Sequence, residues 1–167
     1  RIKGEFKLPG LSESMNLEGL ALIESNGVLK VFYGDRGSDS RPSTLFFADY
    51  NVKQNDITVV RSYSFSLLES MSDKRNIADL VFDKKGNLWS AATSDPGNDG
   101  PFETRLFRVG KMSKEGSFSI TRPMKSSKTF ENEKVEAITT YKSGILLLTD
   151  NENLGSSRYF IRINKLP

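Results

Sequence analysis

Six acidic residues recur as three pairs along this chain: Glu18 with Asp35, Asp79 with Asp95, and Glu136 with Asp150. In each pair one acid lies near the start of an apolar run, and the other lies where the following run ends. If the two runs form an antiparallel hairpin, those positions fall at the same edge of the sheet. Carboxylates gathered in a partly desolvated cleft repel one another, which favours either raised pKa values or a bound cation. The chain has no histidine and no cysteine, so the donors are all oxygen. Such a set suits Ca²⁺ or Mg²⁺ rather than zinc or copper. Arg36 follows Asp35 directly and offers bidentate contact to an anionic substrate. It could equally pair with Glu18 or Asp35 and hold a loop. The plain alternative for each aspartate is a turn residue bonded to nearby backbone amides.

The elements that must position these acids repeat with a period of about 60 residues, starting at Leu17, Ile77 and Val135. Each unit opens on a nearly continuous apolar run, turns at Gly27, Gly86 or Gly144, and returns through a second run. Third runs follow at Leu45 to Ala48, Leu106 to Val109 and Tyr159 to Ile163. Fourth strands are expected at Ile57 to Phe65 and Ser117 to Thr121, where apolar and polar residues alternate. No segment shows a sustained helical period, and Ser66 to Asp73 allows one turn at most. The expectation is an all-β, β-propeller-like fold of one domain spanning residues 1–167. Its three four-stranded blades cover 17–66, 77–122 and 135–164, with an N-terminal strand at 2–8 closing the last sheet. Three blades fall short of the four to eight of a closed ring. A second chain, or a further segment, is therefore expected to complete the set to six.

Composition removes several function classes. Without histidine or cysteine, imidazole-dependent nucleophilic catalysis and thiolate chemistry cannot be run by this chain alone. The 24 basic and 21 acidic residues are interspersed, and no basic block forms a nucleic-acid footprint. No apolar run reaches the length of a membrane span. Neither nucleic acid nor membrane is expected as a partner. The loop Asp95-Pro96-Gly97-Asn98-Asp99-Gly100 departs from the EF-hand pattern and reads as a surface turn. Trp89, inside a second strand, reads as core. The chain opens on Arg1, and a processed, periplasmic or extracellular protein is the expectation.

Asn16-Leu17-Glu18-Gly19-Leu20-Ala21-Leu22, followed by Tyr33-Gly34-Asp35-Arg36-Gly37, resembles the opening blade of phytase-like β-propellers, including the esterase-like group. Val135-Glu136-Ala137-Ile138 with Leu148-Thr149-Asp150-Asn151-Glu152 resembles a later blade of the same families. A more distant similarity is to calcium-activated nucleotidases. The resemblance implies Glu18, Asp35, Glu136 and Asp150 as rim ligands of a central calcium, and supplies no nucleophile. The function expected on this basis is metal-assisted hydrolysis of a phosphate or carboxylic ester. The alternative is a non-catalytic propeller that binds a ligand, glycan or protein. A propeller relic with no surviving chemistry is the third reading.

Overall fold

The computed structural model describes residues 7–166. Its strands form three antiparallel sheets that follow one another along the chain. The first sheet is a four-stranded meander of β1 (Leu17–Ser25), β2 (Val28–Asp35), β3 (Ser43–Asn51) and β4 (Asp56–Phe65). Gly27 makes the first turn at φ +72°, a left-handed conformation that costs glycine little.

The second sheet keeps the same plan with its inner and outer strands interrupted. Its inner edge consists of β5 (Lys74–Arg75) and β6 (Leu80–Phe82), both paired to β7 (Asn87–Ser94). Next to β7 lies β8 (Glu103–Met112), whose outer side pairs with β9 (Phe118–Ile120) and β10 (Ser126–Glu131). Pro123 lacks an amide donor and falls in the gap between those two pieces. The segment between the blades expected at 77–122 and 135–164 thus supplies a further strand.

The third sheet orders β11 (Val135–Tyr141), β12 (Gly144–Thr149) and β13 (Arg158–Arg162). The strand expected at 2–8 to close this sheet lies mostly outside the described residues. Of its described end, Lys7 and Leu8 are not in a strand, and Leu8 packs on the first sheet.

Two cores lie between the sheets. Ala21, Phe32, Leu45 and Phe47 of the first sheet meet Leu80, Leu88, Phe107 and Phe118 of the second. Phe32 stacks on Phe47 with ring centroids 4.8 Å apart, and Phe118 tilts against Phe32 at the same distance. Burial of each such ring contributes roughly 2–3 kcal/mol. The second core joins Trp89, Ala91 and Leu106 to Ile138, Ile145 and Leu147. Both cores alternate along β7: Leu88 and Ala92 face the first sheet, Trp89 and Ala91 the third. That double burial explains why β7 reads as an unbroken small or apolar run. The inner strands touch in succession, β1 against β6 and β6 against β11.

Candidate functional site

The lips of the three hairpins are equivalent, and backbone pairing fixes which residues correspond. Leu17 pairs with Asp35, Lys74 with Ser94, and Val135 with Thr149. One step outward, each lip is closed by the same backbone bond: Arg36 N to Asn16 O at 2.9 Å, Asp95 N to Asp73 O at 3.2 Å, and Asp150 N to Lys134 O at 2.9 Å. Glu18, Arg75 and Glu136 therefore share one position, and Arg36, Asp95 and Asp150 share the other.

This register differs from an alignment of acids by type. Asp35 is the last residue of β2, whereas Asp95 and Asp150 lie one residue beyond β7 and β12. Asp79 belongs to the irregular stretch between β5 and β6, and its place at the lip is taken by Arg75. Each lip has its own charge pattern as a result. In the first sheet Arg36 Nη1 lies 3.3 Å from Glu18 Oε1. In the second, Arg75 Nη2 lies 2.7 Å from Asp95 Oδ2, the same bridge with its charges exchanged. In the third, both positions are acidic.

Asp35 is fully buried and saturated. Arg41 grips both of its oxygens, with Nη2 to Oδ1 at 3.0 Å, and the Asn16 N–H donates to Oδ1 at 2.8 Å. Burial pushes this carboxyl up, but the Arg41 guanidinium and the Asn16 amide outweigh it and hold the group below its ordinary value. Asp79 accepts the Leu80 N–H at 2.7 Å and reaches across to the Ile138 N–H at 2.9 Å, fastening the inner strand of the third sheet to the second. Burial raises its pKa, and the two amides only partly oppose the shift.

Between the second and third sheets the acids converge on a lysine. Lys134 is 6% exposed, and its Nζ lies 3.3 Å from both Asp95 Oδ2 and Glu136 Oε1 and is bonded to Glu152. Burial works against the ammonium, but Glu152, Glu136 and Asp95 together raise its pKa. Lys134 also sits 5.9 Å from the centre of the Phe102 ring. The lysine backbone is held as firmly, with its N–H donating to Asn151 Oδ1 at 2.8 Å. Asp150 is exposed and its Oδ1 accepts the Glu152 N–H at 3.2 Å.

The structure thus brings Asp95 and Glu136 to one ammonium, Glu18 to Arg36, and Asp35 to Arg41. Among the described residues no group of three or more acidic side chains is arranged to hold a metal ion. The three carboxylates that do converge, Asp95, Glu136 and Glu152, enclose a cation supplied by the chain itself, so this donor set does not fit Ca²⁺ or Mg²⁺ as it stands. Lys134, Arg75 and Arg41 organise the lip, yet none was a candidate on sequence. Only the position of Lys134, immediately before the opening strand of the third unit, carries a signal.

No protein-family model, no curated protein and no solved structure matches the chain.

Proposed function

We propose that the chain is a non-catalytic β-propeller module, related to the phytase-like group, whose charged lip binds a polar ligand such as a glycan or a protein. The three sheets are read as consecutive blades, supported by their shared strand plan and by the succession of inner strands β1, β6 and β11. The observation that carries the binding reading is the Lys134 ammonium among Asp95, Glu136 and Glu152. A buried cation bonded to three carboxylates leaves them little capacity to bind a second cation. Fixed, paired charges on a rigid sheet edge give a surface suited to recognising polar groups rather than transforming them.

Thermal unfolding with added Ca²⁺, Mg²⁺ or chelator, together with turnover of generic phosphate and acyl esters, tests this reading. The expected result is an unchanged melting temperature and no turnover. Chelator-sensitive hydrolysis would falsify it.

A second reading, metal-assisted ester hydrolysis, draws support from one feature. Glu136 and Asp150 occupy in the third sheet the two positions that hold an acid and an arginine in the other sheets. A cation recruited there would polarise a substrate oxygen, with Arg36 available to an anionic group. The same assay separates the two readings.

A further inference from the structure

Each sheet has one face for its predecessor and one for its successor, and the strand register shows which is which. Two residues before the lip of the second strand stand Tyr33, Ala92 and Leu147. Ala92 packs toward the first sheet and Leu147 toward the second, so this face looks backward. Three residues before the lip stand Phe32, Ala91 and Leu146. Phe32 packs toward the second sheet and Ala91 toward the third, so this face looks forward.

The first sheet has no predecessor among the described residues, and the third has no successor. On the first sheet's backward face Val31, Tyr33, Phe46 and Ala48 are already covered by the chain's own segment, with Leu8 and Met15 packed on them and Tyr33 Oη donating to Pro9 O at 2.6 Å, so only the inner-strand part of that face is open. Leu22 lies 53% exposed where the equivalent Leu80, paired likewise across its hairpin, is 3% exposed. Leu20 is 54% exposed where the equivalent Ile138 is 5% exposed. Leu20 and Leu22 line a groove of about 430 Å³ with Leu8, Leu29, Val31 and Tyr50. On the forward side, Phe160 is 45% exposed, whereas Phe47 and Leu106 at the same position are buried against the next sheet.

We propose that the backward face of the first sheet docks the forward face of the third sheet of a second copy. Two such head-to-tail junctions would form a dimer. Two observations select a second copy. The fold already contains two junctions of this backward–forward type, and the open strip at Leu20 and Leu22 and the open face at Phe160 stand where the two sides of a third would meet. Charge also matches: Glu24 stands beside Leu22 on the backward face, and Arg162 beside Phe160 on the forward face, both near the first-hairpin end of their sheets. Heterologous contacts close into a ring when the rotation allows, which removes both faces from water.

The proposal builds on the blade reading, but its test is independent of metal binding and turnover. Sedimentation equilibrium of the full chain is expected to give a dimer. Leu148 is 47% exposed and lies two residues from Leu146 on the same forward face. Leu22→Glu and Leu148→Glu are each expected to give folded monomers. An equimolar mixture should recover a dimer, because one junction then joins two unaltered faces. The exposed pair Glu24→Arg and Arg162→Glu serves as a control that does not threaten folding. Each should weaken the dimer roughly fivefold, and mixing them should restore it. A monomeric unaltered chain overturns the proposal, as does a dimer that survives Leu148→Glu or a mixture that stays monomeric. Loss of dimer with no turnover leaves the binding function intact, and turnover in a dimer overturns only the latter.

Discussion

Lys134 Nζ lies 3.3 Å from Asp95 Oδ2, so the lips of the second and third sheets share one buried positive charge. Replacing it by methionine keeps the stem and removes the ammonium. Asp95 would keep Arg75, but Glu136 and Glu152 would lose the ammonium between them, at an expected cost of about 3 kcal/mol in urea unfolding. The same variant should acquire a response to Ca²⁺, with a raised melting temperature that chelator reverses, whereas the unaltered protein shows none. A Lys134→Met protein as stable as the parent, and indifferent to Ca²⁺, would remove Lys134 from its place at the centre of the site.

The bridge between Glu18 and Arg36 can be rewritten in the form used by Arg75 and Asp95. Glu18→Arg alone sets two guanidinium groups together and is expected to cost about 1 kcal/mol, since both partners are partly exposed. Adding Arg36→Glu should recover most of that loss. The coupling is read from a double-mutant cycle in urea, and additive losses would show that the two positions do not interact.

Gly34 marks a close approach between the first and second sheets. A Cβ built there would lie 2.5 Å from Ile77 Cδ1, with the next nearest atom beyond its chain neighbours, Ile77 Cγ2, at 3.6 Å. Gly34→Ala is expected to cost about 2 kcal/mol by overpacking. Ile77→Val removes the offending methyl, so the double variant should be more stable than Gly34→Ala alone. Emission from Trp89, the only tryptophan and 3% exposed, reports both transitions.

Acid should destabilise the protein partly through Asp83. This carboxylate is 4% exposed and accepts the Lys85 and Asn87 amides at 2.8 and 2.9 Å, the Asn87 side chain at 2.7 Å and the Trp89 indole N–H at 3.1 Å. Burial pushes its pKa up, but these donors, Asn87 foremost, outweigh it and bring it below the ordinary carboxylate value. Because the folded value lies below the unfolded one, the stabilisation is complete above the ordinary value and disappears as pH falls through the folded one. Asp79 has the opposite sign: its raised folded value makes it slightly less destabilising as pH falls. Asp83→Asn should therefore lower stability at neutral pH and flatten the acid limb of a stability-against-pH curve. An unchanged acid limb would contradict the assignment.

Much of the scaffold is legible in sequence. The hairpin strands around Gly27 and Gly86, and the burial of Trp89, follow from alternation, turn chemistry and apolar runs. The lip is less so, because acids matched by residue type are not matched by register. Asp79 looks like a partner of Glu18, yet the two extra residues between β5 and β6 shift it inward and bring Arg75 to the edge. Arg41 clamps Asp35 from six residues away in a loop, a distance that no strand pattern marks. Lys134 reads as a solvated charge next to a strand, and its burial follows only from the meeting of two sheets. The outer edge of the second sheet is similarly hidden, since β10 resumes pairing after the Pro123 interruption.

The exchanged signs at the first two lips bear on how the chain finds its native pairing. Tandem copies of one motif invite a strand to zip onto the wrong neighbour while folding. Were β7 to settle beside β1, Asp95 would approach Glu18; were β2 to settle beside β5, Arg36 would approach Arg75. Both mismatches set like charges together, so the two salt bridges disfavour an exchange of strands between the first and second hairpins.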